Sequence, residues 1–279
     1  MLRYTHLFIM VLLCFGINTA RAQGDFCATQ RLIETQPALL LKMAENDARL
    51  LAKARQNNAK SNDATTIYTI PVVLHNVENQ DGDGHVSDSL LVATLAQLNR
   101  AFANQAPYYN PNGVDTRIRL CLAQRKPSGD TTRGIVRTVS RFTYHDPPEE
   151  NDSLKMGAWD SRNYLNIWVV KDIVGWKTGT PILGYATPPA EHGGQWDGIV
   201  IVSATLGQNP SKIAILAHEV GHYLSLYHTF QGGCLNNDCA INGDHVCDTP
   251  PDNKEYSALV HNSCNTDAVG ILTLLTVPR

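Results

Sequence analysis

The spacing of apolar residues along the chain predicts alternating strands and helices. Five segments have the apolar runs or period-two alternation of strands: 66–77, 115–123, 134–140, 164–170 and 197–204. Apolar residues recur at helical spacing in three others: 36–60, 87–102 and 211–224. A strand therefore leads directly into the last predicted helix.

The last helix is predicted to be amphipathic and to lie against a core. Ser87 and Ser211 are the predicted N-caps of the second and third helices, because a serine hydroxyl can accept a hydrogen bond from a first-turn amide. One face of the third helix is apolar: Ile213, Leu216, Ala217, Val220 and Leu224. His218 and His222 flank this face, which places them at the wall of a cleft.

The same helix carries the residues that indicate chemistry. His218 and His222 are four residues apart, so they lie on one helical face and can reach one metal ion. Glu219 points elsewhere and can act on a metal-bound water without ligating the metal. His228 can join them only if the helix ends after His222 and the chain turns back. Three histidines and one open position are typical of catalytic zinc.

Composition and the N-terminus narrow the class of protein. The 279 residues are 43% hydrophobic and 18% charged, with a net charge of −3, which favours a globular chain and no nucleic-acid partner. An apolar run at 7–17 precedes the small-residue site Ala20-Arg21-Ala22, so we predict a signal peptide at 1–22. The run is too short to span a bilayer. We expect a secreted or extracytoplasmic protein without a membrane span.

Export would permit disulfides. Six cysteines follow the predicted cleavage site: Cys27, Cys121, Cys234, Cys239, Cys247 and Cys264. The last four lie in a segment with little hydrophobic periodicity, where covalent cross-links are most useful. We predict two disulfides among these four, with three connectivities open. A structural zinc site formed by the four thiols is the alternative.

The motif at 218–228 resembles that of the metzincin metallopeptidases, His-Glu-x-x-His-x-x-Gly-x-x-His. The residues that follow resemble the pappalysin branch: His228-Thr229-Phe230 and then Gly243-Asp244-x-x-Cys247-Asp248-Thr249-Pro250. The resemblance covers roughly 66–266. It implies an α/β (α+β) fold with a twisted, mostly parallel sheet, an antiparallel edge strand and two long helices. A smaller irregular lower subdomain would lie across the cleft.

The resemblance also implies roles for particular residues. Zinc would be held by His218, His222 and His228, with Glu219 as the general base in the hydrolysis of peptide or protein substrates. Calcium is implied in the following loop, with three candidate ligands: Asp244, Asp248 and Thr249. Helix caps and turns are the alternative role for those three. The segment at 184–187 is expected to contribute to substrate binding by strand addition.

A zymogen is implied as well. Residues 23–65 would form a prosegment and linker, and residues 66–279 the catalytic domain. Cys27 would ligate the zinc until the prosegment is cleaved. In the alternative, Cys27 pairs with Cys121 or stays a free thiol.

Two departures from the family pattern bear on activity. The family's turn glycine is Ser225 here, which predicts strain at the bend that His228 needs. No methionine follows Met156, so the Met-turn beneath the zinc is absent and the lower subdomain is predicted to be incomplete. The main hypothesis is a secreted zinc endopeptidase. The alternatives are a catalytically impaired metal-binding module and a structural domain whose histidines bind no metal.

Overall fold

The computed structural model describes most of the chain between residues 27 and 264. The described residues are 27–34, 36–58, 65–147, 151–174, 181–235, 238, 242–247, 249, 251 and 264. The predicted signal peptide at 1–22 lies outside these residues. So does the segment after Cys264, to which the predicted absence of the Met-turn refers. Among the described residues, no helix is both long and apolar enough to cross a membrane.

A six-stranded sheet forms the centre of the fold, in the order β2-β1-β5-β8-β7, with β3 also paired to β1. Its strands are β1 (Tyr68–Glu78), β2 (Ile118–Leu122), β3 (Ile135–Val139), β5 (Leu165–Val170), β7 (Gly184–Ala186) and β8 (Ile199–Val202). Every pairing is parallel except that of the edge strand β7 with β8. Strands β4 (Tyr144–His145) and β6 (Asp172–Ile173) form a separate parallel pair. All five predicted strands are confirmed, and β7 is the antiparallel edge strand that the resemblance implied.

The central strands are buried on both faces. All residues of β5 and β8 are buried, as expected for parallel strands covered on both sides. Helix α3 (Asp88–Phe102) and helix α5 (Pro210–Tyr223) pack on one face, and their apolar residues join the strands in the main core. A second cluster, built around Trp168 and Tyr185, covers the opposite face. The short helix α4 (Asn151–Leu154) contributes Leu154 to this second cluster.

One of the two predicted helix caps is wrong. Ser87 caps α3 by accepting a hydrogen bond from the amide of Leu90 at 3.3 Å, as predicted. Helix α5 is instead capped by Asn209, whose Oδ1 accepts from the amide of Ser211 at 2.9 Å. Pro210 has no amide proton and therefore occupies the first helical position without losing a bond, which moves the cap two residues upstream.

The N-terminal part of the described chain lies against the cleft. It contains helix α1 (Thr29–Glu34) and helix α2 (Pro37–Asn58), which agrees with the predicted helix at 36–60. A small apolar cluster holds this part in place: Ile33, Leu39 and Met43, with Ala190 and Tyr227 packed against it. Lys42 forms an ion pair with Glu191 at 2.6 Å. Tyr227 donates a hydrogen bond to Asp47 at 2.6 Å.

The disulfides fall where the cysteine cluster was predicted. Cys234 and Cys264 are bonded to each other, and their Cα atoms lie 5.5 Å apart. Cys247 is also disulfide-bonded, while Cys239 lies outside the described residues. Of the three predicted connectivities, the Cys234–Cys264 bond is compatible only with the one that would join Cys239 to Cys247. The alternative of a four-thiol zinc site is wrong.

A buried lysine makes the stability of the fold depend on pH. The Nζ of Lys155 donates to the carbonyl of Trp196 at 2.7 Å and lies 5.2 Å from the ring centres of Trp168 and Tyr185. Burial lowers the pKa of Lys155 from 10.5 to about 7, although Asp197 opposes this shift. The unfolded chain therefore holds more protons between these two pH values, so stability rises with pH across that window.

We expect the Lys155→Met variant to lose this pH dependence. Between pH 7 and 10, the free energy of unfolding of the wild type should rise relative to that of the variant. Below pH 7 the difference should be constant, because the lysine is then protonated in both states. Urea denaturation at a series of pH values measures the free energy of unfolding. Lys171→Met is the control, because Lys171 is exposed. If the free energy of unfolding changed equally with pH in the wild type and in Lys155→Met, the prediction would be contradicted.

Candidate metal centre

Three histidine rings converge on one point at the end of α5. The Nε2 atoms of His218 and His222 lie 2.9 Å apart, and those of His222 and His228 lie 3.1 Å apart. The third separation, between His228 and His218, is 3.2 Å. All three residues are buried, with exposed fractions of 4–5%. The structure thus brings together the three residues predicted to be metal ligands.

The helix ends where His228 requires it to end. Helix α5 stops at Tyr223, and Ser225 takes the left-handed conformation with φ of +78°. The amide of Leu226 then donates back to the carbonyl of Gly221 at 2.9 Å. The predicted bend is confirmed, as is the predicted use of a conformation that favours glycine.

We expect the Ser225→Gly variant to be more stable than the wild type. An L-residue in the left-handed conformation costs roughly 1–2 kcal/mol, and glycine loses part of that gain through its more flexible unfolded state, leaving about 1 kcal/mol. Chemical denaturation gives the difference in the free energy of unfolding. Ser225→Ala is the matched control, because alanine keeps the backbone penalty. An equal gain in both variants would point to the hydroxyl instead of the backbone.

A backbone hydrogen bond sets the orientation of one ring. The Nδ1 of His222 lies 2.7 Å from the carbonyl oxygen of Leu226. A carbonyl only accepts, so Nδ1 carries the proton and Nε2 presents its lone pair to the other two rings. His228 is held by its stacking on Phe230, with ring centres 4.7 Å apart.

The donor set fits a zinc ion. Tetrahedral zinc with Zn–N bonds of about 2.0–2.1 Å holds its ligand nitrogens about 3.3 Å apart, close to the separations seen here. Burial lowers the pKa of His222 to about 4. Burial also lowers the pKa of His228 well below its usual value, and the neighbouring His222 and His218 add to this shift. These two rings are therefore neutral at pH 7, the form in which imidazole binds metals.

Glu219 lies beside the histidines and is fully buried. Its Oε2 accepts a hydrogen bond from the hydroxyl of Thr29 at 3.3 Å and one from the thiol of Cys27 at 3.6 Å. Gly184 of β7 packs against the same side chain, since a Cβ at that position would lie 3.0 Å from the Glu219 Cγ. The predicted base therefore lies between the edge strand and the N-terminal segment.

Cys27 is the fourth member of the cluster. One ligand atom from each of Cys27, His218, His222 and His228 lies within 4.8 Å of the others. Cys27 and Cys121 both remain thiols, the first buried and the second exposed. The alternative in which these two cysteines pair is therefore wrong.

Thr29 is a contact that sequence reasoning missed. Its hydroxyl accepts from the amide of Ala186 on β7 at 2.9 Å and donates to Glu219. The only signal in the sequence was its position two residues after Cys27.

The residues predicted to bind calcium are only partly described. Asp244 is buried, and its Oδ1 accepts from the amide of Val246 at 3.0 Å. Burial raises the pKa of Asp244, against the opposing effect of hydrogen bonds from Val246 and Thr249. These contacts match the turn and cap alternative. Asp248 lies outside the described residues, so calcium stays a prediction.

Comparison with known proteins decides the family. A family model described as pregnancy-associated plasma protein-A, peptidase M43, matches residues 149–273. An extracellular metalloprotease of Colletotrichum graminicola is 30% identical over 251 residues, covering 85% of this chain and 75% of the relative. The chain belongs to the pappalysin-type metzincin metallopeptidases. An extracellular metalloprotease of Arthroderma otae is also similar to this pappalysin-type chain, at 28% identity over 221 residues. Those residues cover 76% of this chain and 69% of that relative.

Two solved structures share the fold of this pappalysin-type chain. A variant of promirolysin from Tannerella forsythia has a TM-score of 0.63 and 26% identity, and the match covers 90% of this chain and 86% of the promirolysin chain. Mature mirolysin in complex with a cleaved peptide has a TM-score of 0.58 and 27% identity, and the match covers 77% of this chain and 85% of the mirolysin chain. The predicted α/β architecture with a mostly parallel sheet is confirmed. The family implies a bound metal and peptide substrates.

Proposed function

We propose that this chain is a secreted zinc endopeptidase made as a latent precursor, with His218, His222 and His228 as the zinc ligands. The observation that carries the proposal is the convergence of three buried imidazole nitrogens beside a buried glutamate. The Nε2 of His222 presents its lone pair to the other two Nε2 atoms, 2.9 and 3.1 Å away, and a cation between the three nitrogens would accept it. This supports a metal-binding chain over a structural domain whose histidines bind no metal.

The chain's own residues supply binding and proton transfer. Bound zinc would polarise the scissile carbonyl and lower the pKa of a water molecule. Glu219 takes the proton from that water at a carboxylate oxygen and delivers it to the leaving amine. The edge strand β7 offers the carbonyl of Gly184 and the amide of Ala186 to an extended peptide, which would add to the sheet as a further strand.

Residues 23–65 would act as a prosegment, and residues 66–279 as the catalytic domain. The amide of Ala28 donates to the carbonyl of Gly184 at 3.1 Å, and Thr29 accepts from Ala186. The segment thus occupies the two β7 groups that a substrate would use, and Cys27 would occupy the fourth position around the metal. The match to promirolysin covers 90% of this chain, against 77% for mature mirolysin, which supports the assignment.

Three observations support the proposal that the chain is secreted. The relatives are named extracellular metalloproteases, and the Cys234–Cys264 disulfide suits an oxidising compartment. A signal peptide at 1–22 would direct export.

The experiment that tests the proposal is metal analysis of the full chain purified without chelator. We expect about one zinc per chain, strongly reduced in His228→Ala and retained in His85→Ala, whose histidine lies outside the site. After removal of the N-terminal segment by limited proteolysis, cleavage of an unfolded protein should stop on chelation and return with added zinc.

Each outcome separates the hypotheses. Zinc with chelator-sensitive cleavage supports the endopeptidase. Zinc without cleavage, before and after proteolysis, would instead support the catalytically impaired metal-binding module. A chain that binds no zinc would exclude both.

A further inference from the structure

Gly184 lies where the edge strand meets the proposed base. It begins β7 and is paired with Ile201 of β8. A Cβ at position 184 would lie 2.9 Å from the Ile201 Cδ1, 3.0 Å from the Glu219 Cγ and 3.1 Å from the Glu219 Oε1. Real Cβ atoms almost never approach another heavy atom more closely than 3.0 Å, so a side chain at 184 would require Ile201 to move. The contacts with Glu219 are tighter than most real Cβ contacts and would require that side chain to shift by a few tenths of an ångström.

Backbone conformation is not the reason for glycine here. Gly184 is an ordinary strand residue in register with β8, and it is not among the residues with positive φ. Alanine can therefore take the same backbone conformation, and its cost comes from the Cβ alone. This distinguishes Gly184 from Gly198 and Gly207, whose φ values of +143° and +146° disfavour any side chain.

The two neighbours differ in how easily they can move. The Cδ1 of Ile201 is the end of a flexible side chain and can rotate away. The Glu219 Cγ is in the middle of a side chain that is fully buried, so shifting it moves the carboxylate. The hydrogen bonds from Cys27 and Thr29 to Glu219 come from the segment proposed to leave on activation. Gly184 remains packed against Glu219 after that step.

We propose that Gly184 is a positioning residue for catalysis: the bare backbone at this position leaves the space in which the Glu219 carboxylate sits at its working place. This inference rests on the proposed role of Glu219 as general base. It assigns to β7 a second task besides substrate binding. A change at Gly184 should therefore affect the proton-transfer step more than peptide binding, because its carbonyl stays in place.

The test compares three variants of the zinc-loaded full chain: Gly184→Ala, Ile201→Val and the double variant. Ile201→Val removes the Cδ1 and so relieves one of the two contacts. Crystal structures give the position of the Glu219 carboxylate, and steady-state kinetics after limited proteolysis give kcat and KM. In Gly184→Ala the carboxylate should shift by a few tenths of an ångström. The value of kcat should fall about tenfold, less than the roughly 100-fold loss that a misplacement of about 1 Å causes. KM and the zinc content should be unchanged.

The double variant decides which contact matters. If Glu219 is the important neighbour, the double variant should remain as slow as Gly184→Ala, and Ile201→Val alone should be as fast as the wild type. Recovery of kcat in the double variant would overturn the inference, because it would assign the effect to core packing at Ile201. A Glu219 carboxylate that stays in place in Gly184→Ala would also overturn it.

The same measurements keep the two proposals apart. If the activated wild type does not cleave while Gly184→Ala still displaces Glu219, the proposed function fails and the positional role of Gly184 stands. If the wild type cleaves and Gly184→Ala matches it in kcat, only the inference about Gly184 fails.

Discussion

Replacing Glu219 with glutamine is expected to lower kcat for peptide hydrolysis by about 100- to 10,000-fold, the range by which a positioned general acid or base speeds a reaction. Glutamine keeps the volume of the buried side chain but cannot take a proton. The histidines should keep their positions, because His222 is held by the carbonyl of Leu226 and His228 by the ring of Phe230. Zinc content should therefore stay at the wild-type level.

The measurement is kcat on an unfolded protein after removal of the N-terminal segment, together with zinc content. Glu78→Gln is the matched control, since it removes a carboxylate from β1 outside the site and should leave kcat unchanged. A Glu219→Gln variant with normal kcat would exclude Glu219 as the base. Loss of zinc in that variant would mean that the glutamate supports the metal site instead.

Replacing Cys27 with alanine is expected to raise the peptidase activity of the unprocessed chain above that of the unprocessed wild type. The Cys27 sulfur lies within 4.8 Å of the three histidine nitrogens, where it would be a fourth zinc ligand, and the thiol also donates a hydrogen bond to Glu219. A hydrogen bond contributes about 0.5–1.5 kcal/mol, at the lower end for a weak donor such as a thiol, and about 1.4 kcal/mol is a factor of ten. Removal of the proposed fourth zinc ligand adds to this effect. The unprocessed variant should therefore be at least about tenfold more active than the unprocessed wild type.

This prediction is checked on full chains in which N-terminal sequencing shows no cleavage. Cys121→Ala is the matched control, because it removes the exposed thiol on β2. The contacts of Thr29, Lys42 and Asp47 remain in Cys27→Ala, so release should be partial. Equal activity of the unprocessed Cys27→Ala and wild-type chains would show that Cys27 does not maintain latency.

The parts of the fold that local pattern governs were predictable. Between residues 66 and 224, periodicity placed strands β1, β2, β3, β5 and β8 and helices α3 and α5 within a few residues, and Ser87 was identified correctly as a cap. The cap of α5 was not, because Pro210 allows the helix to begin one residue before Ser211. The sequence next to Pro210 also contained the correct cap, Asn209, because asparagine is as good an N-cap as serine.

Contacts across the chain were harder to predict. Cys27 and Glu219 are 192 positions apart, and Thr29 and Glu219 are 190 apart. The sequence suggested Cys27 only as one of several alternatives and did not indicate Thr29. Both contacts exist because the N-terminal segment lies against β7, and β7 lies at the edge next to β8.

By itself, the sequence determined that His218 and His222 share one face of an amphipathic helix, with Glu219 between them, because 3.6 residues per turn leave no other arrangement. It also determined that His228 needs a bend, and the resemblance to the family implied that Ser225 lies at that bend. Only the tertiary structure decided that the three rings converge, that Cys27 and Thr29 approach the same glutamate, and that Gly184 leaves space for its carboxylate. Those contacts depend on strand order and helix packing, which join residues whose separation along the chain carries no periodic signal.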